Sequence, residues 1–319
     1  MRCRWLAPAY TVCLALAAAL SALAEEPQAE RGKEKSDLQF LRLTRDADKR
    51  PLALEAAIVH YVPADCSRDT PTVDLIAAVH VADKSFYEEL NRSFAKYDAV
   101  LYELVAPEGT KVPKGGQGAG NNPVSMLQKG MTGLLDLQFQ LEGVDYTKDN
   151  MVHADLSPEE FSESMRKRGE SMMETFFRMM GYAMARQNQG SGGSGDLQML
   201  MALFDKNRAM ILKRMMAEQF EDLGGSLAAI EGPQGSTLIG QRNKRAMEVL
   251  RKQIDAGKKS LAIFYGAGHL PDFDRRLRDE LALTALSTRW VVAWDLRDKA
   301  QSQPGDAAAP AIEAPAKGP

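Results

Sequence analysis

Residues 73–79, 99–105 and 259–265 are apolar at almost every position. A strand with one wet face alternates apolar and polar residues, so an unbroken run of this length reads as a strand covered on both faces. Between the first two runs, residues 84–96 place Phe86, Leu90 and Phe94 on one side of a helix, and Tyr97-Asp98 ends it. Strand, helix and strand in this order form a βαβ unit whose strands run parallel. A further strand starts near Leu52 and continues to Val62, and residues 289–294 supply a last one. Residues 241–256, with Met247, Leu250 and Ile254 inward, and residues 273–283 read as helices. The fold class expected is α/β: a mixed, mainly parallel central sheet flanked by helices, in one domain over residues 38–299.

Residues 106–123 are a Gly/Pro/Lys/Asn loop, and a helix is expected over 123–139. Residues 151–156 read as a short strand. Ser157 then caps a helix, with Pro158 at its first position and Glu160 closing a capping box; the helix is expected to run to about Arg186. A Gly/Ser spacer fills 189–195, and 197–223 form one or two more helices. Methionines crowd this stretch, among them Met165, Met172, Met179, Met199, Met210 and Met215. They suit adaptable packing of a helical, Met-rich insertion over about 120–225, or a flexible binding groove. From Ala300 the Ala/Pro-rich tail at 300–319 reads as disordered.

The N-terminus reads as a cleavable signal peptide over residues 1–24. Arg2 and Arg4 precede an uncharged Leu/Ala-rich stretch, and Ala22-Leu23-Ala24 is a small-x-small cleavage site. A polar linker at 25–37 follows. The expected location is periplasmic or extracellular, with no stable membrane span once the signal is removed. Of three cysteines, Cys3 and Cys13 leave with the signal, so Cys66 has no partner for an internal disulfide. A cysteine-rich metal site is thereby excluded as well. The net charge of −3 is spread without a basic stripe, which argues against a nucleic-acid partner.

The chain holds four histidines. His80 follows one buried run, and His269 follows another across Gly266-Ala267-Gly268. Glu103 lies at the end of a third. Parallel strands bring their carboxyl ends to one edge, where ligands bind, so these three groups converge. Two imidazoles and a carboxylate form a common catalytic metal set that leaves positions open for water. Gly266 and Gly268 allow a tight turn and a close backbone approach. His153 ends another strand and is a possible further ligand. Asp155 beside it has two readings, a supporting partner or further ligand at the site and, slightly favoured, a cap of the next helix together with Ser157. His60, between apolar residues, reads as a packed or sheet-face histidine. No His-Glu-x-x-His motif and no phosphate-cradling loop occur.

Four short motifs follow one another: Ala77-Ala78-Val79-His80, Val100-Leu101-Tyr102-Glu103-Leu104, Gly240-Gln241-Arg242-Asn243 and Gly266-Ala267-Gly268-His269. In this order they resemble the TraB/GumN/Tiki superfamily. That family is marked by two Gly-x-x-His motifs, an intervening Glu and an Arg-Asn pair opening a helix. Ala77 stands where the first motif has Gly. The resemblance implies that His80 and His269 bind a divalent metal, Mn, Co or Zn, and that Glu103 is a ligand or general base. It further implies that Arg242 and Asn243 sit at the site rim, Arg242 polarising a substrate carbonyl or pairing with a carboxylate and Asn243 hydrogen-bonding. Tiki members are metalloproteases; related folds include erythromycin-esterase-like hydrolases and haem-binding lipoproteins. The function expected is a secreted or periplasmic metal-dependent hydrolase, a peptidase using metal-activated water on a peptide or protein substrate. The alternative is a non-catalytic metal-, haem- or peptide-binding protein of the cell envelope on the same frame.

Overall fold

The computed structural model describes residues 38–65, 70–116, 135, 137–171, 207–221, 235–298 and 312–313. The signal segment, the linker, Cys66, the Gly/Ser spacer and the methionines from 172 to 201 lie outside the described residues. In chain order the elements are β1 (Leu41–Arg45), β2 (Pro51–Pro63), β3 (Thr72–Ala78), β4 (Val81–Ala82), α1 (Lys84–Phe94) and β5 (Ala99–Tyr102). Then come β6 (Gln138–Phe139), α2 (Gln140–Gly143), β7 (Met151–His153), α3 (Pro158–Arg168) and α4 (Arg208–Glu221). The last are α5 (Arg242–Asp255), β8 (Ser260–Gly266), α6 (Leu270–Leu281), β9 (Leu283–Asp295) and β10 (Ile312–Glu313).

The strands lie in the order β10-β9-β2-β3-β8-β5-β7, with β1 added to β2. The chain is thus an α/β fold on a mixed sheet, as the apolar runs require. β3, β8, β5 and β7 are mutually parallel, and β2 joins them antiparallel through β3. β3 and β5 are parallel to each other, but β8 lies between them. The central place of β8 follows from its sequence: Leu261 to Tyr265 are all buried to within 1 % exposure. Helix α1 seats Phe86, Tyr87, Leu90 and Phe94 on the sheet, with the Phe94 and Phe264 rings 5.0 Å apart. Helix α6 covers it with Leu270, Phe273 and Leu277. Each of these side chains contributes about 1.5–3 kcal/mol by leaving water.

Several local readings change. Residues 138 and 139, expected to close a helix, form β6 and pair with β4 at Val81–Phe139 and Ala82–Gln138. The backbone just beyond His80 offers hydrogen bonds there that a helix would leave unused. The capping box of Ser157 and Glu160 forms as read. Its helix, however, stops at Arg168 rather than Arg186. Gly169 takes a left-handed conformation, φ 65°, and Glu170 N–H closes on the Met165 carbonyl, a glycine-ended stop. The tail, read as disordered, supplies β10 at Ile312–Glu313, which pairs with Thr288 and Arg289 of β9. An edge strand presents unpaired backbone groups, and β10 satisfies some of them. Among the described residues no helix is long and apolar enough to cross a membrane.

Candidate active site

Each of the four parallel strands delivers one polar group to the same edge. His80 lies two residues beyond β3, Glu103 directly follows β5, and Asp155 stands two residues beyond β7. β8 ends at Gly266, and the 3-10 turn Ala267–His269 carries His269 back over it. Parallel polarity places all four here, as ligand sites in open α/β sheets require.

Gly266 is the floor of the cluster. A Cβ at this position would lie 3.2 Å from Glu103 Oε2, 3.7 Å from His80 Nε2 and 3.8 Å from His269 Cδ2. Its φ of −49° is open to any residue, so glycine is needed here for space rather than for the turn. Ala77, at the first Gly-x-x-His-type motif, is an ordinary buried strand residue paired with Tyr265; the residue beside Gly266 is Ala78. The Gly266 amide donates to Glu103 Oε2 at 2.7 Å, and Glu103 Oε1 stands 3.6 Å from His269 Nε2.

Asn243 fixes the ring of His269. Its Nδ2 donates to the His269 carbonyl and to Asp272 Oδ2, both at 2.9 Å, so its oxygen is left to accept. That oxygen lies 2.6 Å from His269 Nδ1, which therefore bears the ring hydrogen. The Nε2 lone pair then faces Glu103 and Arg242. His80 has the matching contact, Nδ1 to Gln140 Oε1 at 2.9 Å.

Arg242 and Asn243 are not at a rim. A π-helical turn, Thr237–Gln241, leads into α5, and both residues are buried where it ends. Ser236 caps that turn, and Thr237 is tied to Glu170 and Ser164 on the α3 side. Two of the three guanidinium nitrogens, Nε and Nη2, are committed to carboxylates. The group grips Asp155 through Nε at 2.9 Å and Nη2 at 2.6 Å, and Nη2 also donates to Glu103 Oε1 at 2.7 Å. Nη1 lies 3.5 Å from His269 Nε2. Asp155 is thus the buried counter-charge of Arg242, and the helix cap is left to Ser157. His153 spends Nε2–H on the Leu104 carbonyl at 2.6 Å. Among the described residues no hydrogen bond or ion pair joins it to His80, Glu103 or His269.

These contacts set the charge states. Burial alone would raise the carboxyl pKa of Glu103, but His269 first, then Arg242, His80 and the Gly266 amide outweigh it and hold the group at about 2. Burial pushes His269 down to about 4, against the pull of Glu103. His269 is therefore neutral at neutral pH, and Arg242 is the cation that keeps Glu103 ionised there. Burial works against the charge of Arg242 as well, yet Asp155 and Glu103 raise it above its usual value. A neutral imidazole with a free Nε2 and a carboxylate of low proton affinity suit metal coordination. The same low affinity makes Glu103 a poor proton acceptor at neutral pH.

The sequence reading missed Gln140, Tyr146 and Asp272 as supports, and it favoured another role for Asp155. Asp155 alone carried a signal, since it shares the strand-end position of the other three. A cavity of about 550 Å³ lies elsewhere, lined by Asn91, Tyr97, Lys114, Glu142, Asp145 and Lys148. It contains none of the strand-end groups. Among the described residues no three His, Cys, Asp or Glu side chains stand in a metal-binding arrangement, and Arg242 touches both Glu103 and His269. No protein-family model matches the chain, and no match is found among curated proteins or solved structures.

Proposed function

We propose that this chain is an exported, metal-dependent hydrolase of peptide bonds, as its resemblance to TraB/GumN/Tiki proteins implies. One observation carries the reading: His80 Nε2, His269 and Glu103 all face the missing Cβ of Gly266. A neutral imidazole beside an ionised carboxylate fits a divalent ion. His80, His269 and Glu103 would hold it. When bound, such an ion supplies Lewis acidity and an acidified water. Glu103 serves as ligand rather than base, since its carboxyl stays ionised down to about pH 2. Asn243 and Gln140 orient the two rings, and Asp155 keeps Arg242 beside the reacting centre. There Arg242 stabilises negative charge that develops on a substrate carbonyl.

The position of Arg242 Nη1, 3.5 Å from His269 Nε2, favours a second reading. In that reading the guanidinium stands in for the metal, and the protein binds haem or a peptide without turnover. The test uses the chain from Glu25 onward, stripped with a chelator. Calorimetric titration with Mn²⁺, Co²⁺ and Zn²⁺ is followed by assay against a peptide library. Metal-dependent cleavage that disappears in both His80→Ala and His269→Ala supports the hydrolase. Haem or peptide binding without cleavage supports the second reading. Failure to bind metal, haem or peptide sinks both.

A further inference from the structure

His80 and His269 are held in very different ways. His269 is buried at 7 % exposure and fixed on several sides, whereas His80 lies exposed beyond the end of β3. An exposed imidazole samples several rotamers and both neutral tautomers unless a neighbour selects one. Among the described residues the only hydrogen-bond partner of the His80 ring is Gln140 Oε1, and Gln140 is itself buried at 4 % exposure. Three contacts fix that glutamine. Its backbone N–H donates to the His80 carbonyl at 2.8 Å. The β4–β6 pairing anchors Phe139 immediately before it. Its Nε2 donates to the Tyr146 hydroxyl at 2.9 Å, and Tyr146 packs edge-on against Tyr102.

With its amide nitrogen directed to Tyr146, Gln140 presents its oxygen to His80 Nδ1. We infer that Gln140 is the positioning residue for His80: it holds the ring as the Nδ1–H tautomer and turns the Nε2 lone pair toward Gly266. Asn243 does the same for His269. The two rings are thus set by two side-chain amides from different parts of the chain. The purpose of this arrangement rests on the proposed metal site, but the arrangement itself does not. The opposite one is defined too. If Tyr146 donated to the Gln140 oxygen, the amide nitrogen would point at His80 Nδ1 and the ring hydrogen would move to Nε2.

Long-range proton–nitrogen spectra of the metal-free chain, labelled with ¹⁵N at histidine and held where the rings are neutral, read the tautomer directly. The wild type is expected to show Nδ1–H at His80. Gln140→Met, similar in shape without an acceptor, is expected to give a mixture, and Gln140→Glu is expected to restore Nδ1–H. Tyr146→Phe, which frees the amide without touching Gln140, is expected to shift the population the same way as Gln140→Met. Nε2–H in the wild type, or an unchanged spectrum in both Gln140→Met and Tyr146→Phe, overturns the inference. In a Co²⁺ titration, Gln140→Met is expected to bind about 10–100-fold more weakly, with recovery in Gln140→Glu. Absence of Co²⁺ binding in the wild type counts against the proposed function, while the spectra still decide the role of Gln140.

Discussion

His60 and His269 each stand beside a carboxylate, yet they are driven in opposite directions. His60, on β2, donates from Nδ1 to Asp74 Oδ1 at 2.5 Å, while Tyr97 donates to Asp74 Oδ2 at 2.5 Å. The Asp74 hydrogen bond raises the His60 pKa above 6.5. His269 lies 3.6 Å from Glu103 and is pushed down to about 4. Two differences decide the sign. The His60 side chain is 37 % exposed and that of His269 only 9 %, so loss of hydration costs the His269 cation far more. In addition, the carboxylate beside His269 is already shared with Arg242, whose own charge opposes protonation. A carboxylate neighbour therefore makes a histidine more basic only while it is not neutralised and the ring can keep water.

Removing the cation is the strongest way to break this contrast. Arg242→Met leaves Asp155 and Glu103 buried without the guanidinium that pairs with both, at side-chain exposures of 0 % and 10 %. Loss of one partner from such a pair is expected to cost about 3–5 kcal/mol, read by urea unfolding of the metal-free protein. In the same variant the His269 pKa is expected to rise toward that of His60. A loss below about 1 kcal/mol would show that water or backbone already compensates the two carboxylates.

Much of this arrangement was legible in the sequence, and the reason for the remainder is physical. The unbroken apolar runs required β3, β5 and β8 to be covered on both faces, and parallel polarity then fixed the shared edge of His80, Glu103 and His269. The capping box at Ser157 was legible because both partners lie within one turn. Asp155 and Arg242 are 87 residues apart, and His80 and Gln140 are 60 apart. No periodicity encodes such pairs. The length of β9 was also hidden, since Thr284, Ser287 and Thr288 join the ladder through backbone pairing rather than apolar character. The stop at Gly169 was readable in principle, but helical composition on both sides masked it.

The pH response sharpens the contrast next. The folded pKa of His269 is about 4 against 6.5 unfolded, so its stabilising contribution is complete above pH 6.5 and is lost as pH falls through 4. The shift corresponds to ~3 kcal/mol for the metal-free protein. Glu103, whose low pKa rests first on His269, loses its contribution only below pH 4.5, toward about 2. Unfolding free energies measured between pH 6.5 and 4.5 should therefore slope downward in the wild type and flatten in His269→Gln. Equal slopes would place the acid response elsewhere.

Gly266→Ala tests the cradle itself at smaller cost. The backbone tolerates alanine, but the new methyl meets Glu103 Oε2 at 3.2 Å, so the carboxylate must give way by a few tenths of an ångström. A destabilisation of about 1 kcal/mol is expected. It should come with a larger proportional loss of Co²⁺ affinity, because the displaced atom belongs to a proposed ligand. Full affinity in this variant would mean that metal, if bound, sits away from Gly266.

The smallest effect is expected at His60, where partial exposure screens the pair. Its folded pKa lies above 6.5, so its contribution is complete below pH 6.5 and fades as pH rises through the folded value, opposite in sign to that of His269. Asp74→Asn keeps the shape of the contact and removes the charge. Proton NMR of the His60 ring should then show its midpoint falling toward 6.5, while the His269 midpoint stays near 4. A His60 midpoint unmoved by Asp74→Asn would mean that the Asp74 charge does not set its basicity. The contrast between the two histidines would then reduce to burial alone.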